Sequence, residues 1–155
     1  MVSQISILLH NIRSTHNVGA IFRTADATGV NKIYVSGYTP GPVDRFGRDR
    51  SDISKASLGA EKTVGWESVS DVIELIKNLK KQGVYICGVE QDKNSIDYRN
   101  IPKGKNILLI LGNEVDGIDR EILDLCDCIA ELPMLGVKES LNVSVTAGIV
   151  LYSLI

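Results

Sequence analysis

The chain has 155 residues, of which 44% are hydrophobic and 23% charged, and its formal net charge is −2 at pH 7. This composition is typical of one globular domain, and the net charge argues against a protein that coats nucleic acid non-specifically. No apolar run approaches the roughly 20 residues of a membrane-spanning helix. The N-terminus lacks the basic segment of a signal peptide, so we expect a cytoplasmic protein.

Charge and cysteine content bear on the possible partners. Residues 1–62 contain eight Lys/Arg and five Asp/Glu, whereas residues 63–155 contain nine and fourteen. The basic segment 45–50 either contacts phosphate groups or is a solvated charged loop. Three cysteines and two histidines give neither a disulfide framework nor a four-ligand zinc spacing. We therefore expect buried thiols and no metal.

In the first half of the chain, β-branched apolar runs predict strands over residues 5–9 and 32–36. Between them, an apolar stripe over residues 18–25 predicts a helix that ends at Gly29. Residues 37–65 show no sustained period, and an irregular segment of this length is usually functional or contains a missed element. A short helix over residues 51–58 and a short strand over residues 63–64 are the candidates.

In the second half of the chain, predicted helices and strands alternate more regularly. A helix over residues 69–79, with Ser68 or Ser70 as N-cap and Gly83 as its stop, precedes a strand over residues 84–89. The remaining elements are strand 107–111, short helix 118–125, strand 129–132 and helix 141–155, which is apolar almost all round. We expect one α/β domain over residues 1–155, with a mainly parallel sheet and helices on both faces.

Ligands of such sheets bind beyond the carboxyl ends of the strands, and the first polar segment found there is residues 11–23. In this segment Asn17 is either a helix cap or a ligand. Arg23 lies about 150° from the centre of the apolar stripe on a helical wheel. Its guanidinium therefore points away from the core of its own domain.

Two further polar segments follow strands. In residues 111–117, Gly112 would let a ligand approach the backbone, and Glu114 is either a functional carboxylate or a solvated turn residue. In residues 132–145, Ser140 could cap the last helix, but Asn142 lies in an apolar helix start, where a buried amide needs partners. No G-x-G-x-x-G loop, P-loop or G-x-S-x-G elbow is present, which disfavours nicotinamide dehydrogenases, P-loop NTPases and serine hydrolases.

Together the three segments resemble the signature motifs of the SpoU/TrmH family of SPOUT-class RNA 2′-O-ribose methyltransferases. Residues 17–23 match N-x-G-x-x-x-R, and residues 109–114 match L-x-x-G-x-E. The third motif corresponds to Leu132-Pro133-Met134 followed by S-L-N-V-S-V over residues 140–145. Residues 56–61, A-S-L-G-A-E, are also similar to a family segment. The resemblance covers residues 11–153.

The resemblance implies a metal-independent enzyme that uses S-adenosylmethionine, with a C-terminal trefoil knot and a homodimer whose active site lies at the subunit interface. General folding rules alone predict an unknotted sheet. By motif position, the cofactor contacts are Val89, Gly112, Leu132, Met134 and Leu141. The catalytic arginine is Arg23, and its supporting residues are Asn17, Glu114, Ser140 and Asn142.

A guanidinium pKa above about 12 makes Arg23 a poor base, so we expect it to grip an RNA phosphate while that phosphate, Glu114 or water takes the proton. Candidate RNA-backbone contacts are Arg45, Arg48, Arg50, Lys55 and Arg13. We expect a tRNA substrate, because the chain lacks the extra RNA-binding domain of many ribosomal-RNA members, and the third motif favours guanosine. An rRNA substrate, a non-catalytic RNA-binding module and an unrelated Rossmann-like nucleotide enzyme are the alternatives.

Overall fold

The computed structural model describes residues 2–155 and contains a seven-stranded sheet in which every strand pair is parallel. The strands are β1 (Ile5–His10), β2 (Lys32–Ser36), β3 (Gly65–Val69), β4 (Tyr85–Val89), β5 (Ile96–Asp97), β6 (Ile107–Leu111) and β7 (Cys128–Glu131). The α-helices are α1 (Thr15–Ala27), α2 (Ser51–Ser57), α3 (Val72–Lys81), α4 (Arg120–Leu123) and α5 (Val143–Leu154). The α/β prediction is confirmed.

In the strand order β3-β2-β1-β6-β4-β7-β5, the direction in which strands are added to the sheet reverses between β1 and β6. The chain first adds β2 and β3 on one side of β1 and then adds the remaining strands on the other side. Crevices for ligands form outside the carboxyl ends of strands at such a switch point. The segments that follow β1, β6 and β7 are therefore brought to one edge of the sheet.

Helices cover both faces of the sheet, as predicted, because side chains alternate along each buried strand. Ile7 and Leu9 face the core that contains α1 and α5, whereas Leu8 faces the core that contains α3 and α4. All five residues of β6 are buried, which confirms a central strand covered on both sides. Helices α1 and α3 end just before Gly29 and Gly83, whose φ angles of 72° and 81° suit glycine.

Several predicted boundaries were wrong. The N-cap of α3 is Asp71, whose side chain accepts from the Glu74 amide, and not Ser68 or Ser70. The strand expected at residues 63–64 begins two residues later, as β3. Val69, which was expected to begin the following helix, is the last residue of this strand. β5, a strand of two residues, was not predicted, because so short a strand leaves no periodic pattern.

Two smaller expectations also need correction or remain open. Cys87 is buried as expected, but Cys126 and Cys128 are only half-buried. The C-terminal trefoil knot stays a prediction. Of the helices in residues 2–155, none combines the length and apolarity that crossing a bilayer would require.

Candidate active site

A cavity of about 470 Å³ lies at the carboxyl ends of β4, β6 and β7, within the size range of small-molecule sites. All five residues predicted to contact a cofactor line this cavity, namely Val89, Gly112, Leu132, Met134 and Leu141. Glu114 and Ser140 line it as well. Segments that are far apart in the sequence thus share one cavity, and we call it the acidic cavity for the charges described below.

Three side chains join the three polar segments through hydrogen bonds. The Asn17 Nδ2 donates to Glu114 Oε1 at 3.2 Å, and the Asn142 Nδ2 donates to Asn17 Oδ1 at 3.1 Å. Asn17 is 7% exposed, so both ends of its amide need the partners that the fold provides. The Glu114–Asn17–Asn142 chain therefore fixes the relative positions of the segments after β1, β6 and β7.

Glu114 also receives two backbone amides at the start of α1. The Arg13 amide donates to Oε2 at 3.2 Å, and the Ser14 amide donates to Oε1 at 3.3 Å. Partial burial raises the pKa of Glu114, but hydrogen bonds from backbone amides and from Asn17 outweigh this effect and hold the pKa below its ordinary value. A carboxylate with these donors and a lowered pKa is a poor proton acceptor and suits a positioning role.

Asn142 is the N-cap of α5 and does not lie inside the helix, which corrects the sequence-based interpretation. Its Oδ1 accepts from the Ser144 amide at 2.8 Å. Ser140 lies two residues before this cap in an exposed segment. The N-cap of α1 is Ser14, whose hydroxyl accepts from the Asn17 amide at 3.1 Å. Asn17 is therefore not the cap of this helix.

Gly112 is required by the protein's own backbone. A Cβ atom at this position would lie 2.6 Å from the carbonyl carbon and oxygen of Gly117. Residues 113 and 117 pair through two backbone hydrogen bonds of 3.1 and 3.0 Å, which closes a tight loop beside the cavity. Gly112 also lines the acidic cavity, so the contact with a cofactor that the sequence suggests stays a prediction beside this backbone requirement.

The charged lining of the acidic cavity is strongly unbalanced. It contains a single guanidinium, that of Arg120, which pairs with Asp92 at 2.6 Å. It contains six carboxylates, from Glu90, Asp92, Glu114, Asp116, Glu131 and Glu139. This lining favours a ligand with net positive charge and disfavours polyphosphates. The apolar residues of the lining suit the uncharged part of such a ligand.

Arg23 does not line the acidic cavity. It is exposed on α1, while Val18, Ile21 and Phe22 on the opposite side of the helix are completely buried. The predicted outward direction of Arg23 is therefore confirmed. Within one chain, Arg23 is not brought together with the cavity that Glu114 and Ser140 line.

Helix α5 has two apolar faces, of which the chain buries one. Ala147, Val150 and Leu151 pack in the core, whereas Val145 and Tyr152 are 49% and 57% exposed. The spacing of seven residues places Val145 and Tyr152 on one side of the helix. The sequence predicted burial on several sides, and the second face lacks a cover within the described part of the chain.

A second cavity, of about 610 Å³, adjoins the acidic cavity. Three of the five predicted RNA contacts line it, Arg13, Arg45 and Arg50, and we call it the basic cavity. Arg48 instead pairs with Asp44 at 3.2 Å, and Lys55 is exposed on α2. The two cavities share a wall, because Arg13 donates its amide to Glu114 and the Asn113 Nδ2 donates to the Tyr38 hydroxyl at 2.8 Å.

Sequence reasoning missed several residues of this region. Tyr38, Glu90 and Arg120 line the two cavities but belong to none of the three motifs. Tyr38 could have been found, since it lies two residues after β2 at the carboxyl edge of the sheet. Among residues 2–155, no cluster of His, Cys, Asp or Glu has the composition of a metal site.

Comparison with known proteins gives the same family for nearly the whole chain. The model of the SpoU rRNA Methylase family matches residues 4–152. The 23S rRNA (guanosine-2′-O-)-methyltransferase RlmB of Neisseria meningitidis serogroup B is 36% identical over 146 residues, which are 94% of this chain and 55% of that protein. The chain thus spans about half the length of the curated relatives it matches.

Solved structures share the fold. The A. aeolicus TrmH/SpoU tRNA modifying enzyme is 30% identical, with a TM-score of 0.85 over 97% of this chain and 73% of that one. The AdoMet-bound rRNA methyltransferase of Sinorhizobium meliloti is 28% identical, with a TM-score of 0.87 over 99% of this chain and 56% of that one. These matches remove the interpretation as an unrelated Rossmann-like enzyme with chance motifs. On both the sequence and the fold, the chain belongs to the SpoU rRNA methylase family.

Proposed function

We propose that the protein transfers a methyl group from S-adenosylmethionine to a ribose 2′-hydroxyl of RNA. The observation that carries the proposal is the acidic cavity, with six carboxylates and one guanidinium in its lining, next to a basic cavity lined by three arginines. A sulfonium cofactor of net positive charge suits the first cavity, and an anionic RNA backbone suits the second.

The residues present fit the cofactor. Val89, Leu132, Met134 and Leu141 would contact its uncharged parts, and the loop that Gly112 permits would border it. When bound, S-adenosylmethionine supplies a methyl group on a cationic sulfur, which is a good leaving group without help from a metal. That the Sinorhizobium relative is AdoMet-bound supports the same ligand here.

The protein's own residues position the substrate hydroxyl. Arg23 grips the adjacent RNA phosphate through its planar guanidinium and so holds the ribose in line for attack. Hydrogen bonds of Asn17, Glu114 and Asn142 hold the three segments together, and Ser140 lies on the cavity wall. The lowered pKa of Glu114 argues for the RNA phosphate or water as proton acceptor.

The active site is completed by a second copy of the chain. Arg23 lies on an exposed helix face away from the cavity, and the uncovered face of α5 carries Val145 and Tyr152. A symmetric dimer through this apolar face would bury it and bring Arg23 of one subunit to the cavity of the other. Residues 1–155 act in this assembly as one catalytic domain in the cytoplasm.

The substrate we favour is tRNA, modified at a guanosine. The 30% identical A. aeolicus protein is a tRNA modifying enzyme, and the Neisseria relative acts on guanosine. That same relative acts on 23S rRNA, which makes rRNA the second candidate. Arg13, Arg45, Arg48, Arg50 and Lys55 are the proposed RNA contacts.

One pair of measurements tests the function. Calorimetry with S-adenosylmethionine should show binding, and labelled-methyl transfer should occur to bulk tRNA and not to ribosomal RNA. Mass mapping of the product nucleoside should then find 2′-O-methylguanosine. Binding of the cofactor without transfer to either RNA would instead favour a non-catalytic RNA-binding module, and absence of cofactor binding would refute the assignment of the acidic cavity.

A further inference from the structure

We propose that the basic cavity and the tip of the loop beside it bind a phosphate and a neighbouring unpaired base, so that the substrate is presented as single-stranded or looped RNA. This inference rests on the proposed function and specifies the form of its substrate. It also separates the five candidate RNA contacts into those that hold a phosphate and those that do not.

The phosphate position follows from the arginines of the basic cavity. Arg13, Arg45 and Arg50 line it, with Asp44 as the carboxylate among the lining residues. The Nε of Arg50 is buried and has no hydrogen-bond partner among residues 2–155. None of the three guanidinium groups forms an ion pair with a carboxylate among residues 2–155, so their charges are available to an anionic group in this cavity.

The base position follows from Phe46, which none of the motifs includes. Residues 43 and 49 pair as the base of a turn that projects Phe46 outward, and its side chain is 66% exposed. The guanidinium groups of Arg45 and Arg48 lie 4.7 and 5.0 Å from the centre of its ring. Aromatic rings and guanidinium planes are the surfaces on which unstacked bases bind.

The structure fixes this stacking surface before any ligand arrives. Asp44 accepts from the amides of Phe46 and Arg48 at 2.8 and 3.0 Å, and it pairs with the Arg48 side chain. Arg48 is thereby paired with a carboxylate and is less free to grip a phosphate, whereas Arg45, which also lies over the ring, forms no ion pair among residues 2–155. Lys55 does not line the basic cavity, so we assign the phosphate to Arg13, Arg45 and Arg50 alone.

The position of the basic cavity relative to the acidic one supports a role in substrate binding. Tyr38 lines the basic cavity, its ring lies 5.6 Å from the Arg13 guanidinium, and its hydroxyl accepts from Asn113 of the acidic cavity. A nucleotide seated in the basic cavity would therefore be a near neighbour of the one that is methylated. Base-paired RNA cannot offer a free base face to Phe46.

The test compares a short single-stranded RNA that carries 2-aminopurine with the same strand annealed to its complement. The wild-type protein should bind the single strand more tightly and quench its fluorescence. Phe46→Ala and Phe46→Leu should both weaken single-strand binding about tenfold and abolish the quenching, while duplex affinity stays unchanged. Leucine keeps apolar bulk without a planar ring, so it isolates stacking from simple burial.

Salt dependence tests the phosphate assignment. Arg45→Ala should flatten the slope of log affinity against log salt for the single strand by about 0.7, the effect of one lost phosphate contact. Arg99→Ala, which removes an exposed charge outside the basic cavity, should leave the slope unchanged. Thermal melting of each variant confirms that it is folded.

Equal affinity for single strand and duplex, wild-type binding by both Phe46 variants, or an unchanged slope for Arg45→Ala would each overturn the inference. These failures differ from failure of the proposed function. Cofactor binding and methyl transfer by the wild-type protein are measured separately, and they can succeed while the RNA-binding results go against the basic cavity.

Discussion

At the scale of single residues, the site depends on polar side chains whose hydrogen bonds hold neighbouring segments in place. Glu114 illustrates this, because both of its oxygens are occupied by donors from the start of α1 and from Asn17. Such a carboxylate gains more from staying ionised than from accepting a proton. Arg23, by contrast, is exposed, and we propose that it holds the substrate.

Replacing Arg23 by lysine should remove most methyl transfer and leave cofactor affinity near the wild-type value. Lysine keeps the charge but loses the planar, two-pronged donor arrangement that holds a phosphate. The measurements are labelled-methyl transfer for activity and calorimetry for S-adenosylmethionine. Turnover retained by Arg23→Lys would refute the positioning role.

The ionisation of Glu114 should appear in the pH dependence of stability. Its pKa is lowered in the fold, so the carboxylate stabilises the protein above pH 4.5, its ordinary pKa, and this contribution is lost as the pH falls through the lower folded value. Because Glu114 is exposed and its interactions are screened by solvent, Glu114→Gln should cost only about 0.5 kcal/mol at neutral pH, and the difference should shrink below that ordinary pKa. Denaturant unfolding from neutral to acidic pH measures it, and a difference independent of pH would contradict the assignment.

At the scale of elements, the boundaries of helices decide where functional side chains are held. Asn142 caps α5 and at the same time donates to Asn17. Sequence reasoning recognised that the Asn142 amide needs partners but placed it within the helix. The apolar periodicity of residues 141–155 does not mark the first helical turn, and the partner Asn17 lies 125 residues away.

Two helix caps form a matched pair for mutation. Asn142→Ala and Asp71→Ala each remove a capping side chain and should each lower the free energy of unfolding by about 1 kcal/mol. Only Asn142→Ala breaks a link between the polar segments, so only this variant should lose methyl transfer. Equal activity of the two variants, each normalised to its folded fraction, would show that the cap of α5 is purely structural.

Strands and helices with strong patterns were predicted well, and weakly patterned ones were not. β6 has five consecutive buried residues, and α1 has an apolar stripe. Both are repeated apolar patterns that can be recognised from the local sequence. β3 was predicted two residues too early and β5 was missed. β3 contains only exposed and half-buried residues and β5 only half-buried ones, and both strands are defined by pairing with distant strands. The motifs located the cavity lining, whereas the position of Phe46 could be recognised only when the loops were placed in space.

At the scale of the whole molecule, strand order could not be predicted from periodicity. Which strand lies beside β1 depends on pairings between residues about 100 positions apart, such as Ile7 with Leu109. The local sequence pattern does not indicate these pairings. This order is what brings the acidic and basic cavities together. It also leaves Arg23 outside the cavity of its own chain.

Dimerisation should therefore be testable by complementation. Arg23→Ala and Ser140→Arg, which places a bulky cation in the acidic cavity, should each be inactive alone. Mixing equal amounts with subunit exchange should restore about a quarter of wild-type activity, because half of the dimers are mixed and each contains one complete site. Tyr152→Asp in both chains should prevent the recovery and give a monomer by light scattering.

A mixture that stays inactive while exchange is shown to occur would place Arg23 and the cavity of the same subunit in one site. A monomeric wild-type protein with full activity would lead to the same conclusion. In either case the exposed face of α5 would need another explanation.

The surplus of carboxylates in the acidic cavity also has a consequence for turnover. Under the proposed function, methyl transfer would convert a sulfonium cofactor of net charge +1 into a thioether of net charge zero, so the electrostatic attraction to the carboxylates would weaken once the reaction is complete. Release of the spent cofactor would then be easier than release of the donor. This difference should diminish as salt screens the carboxylates.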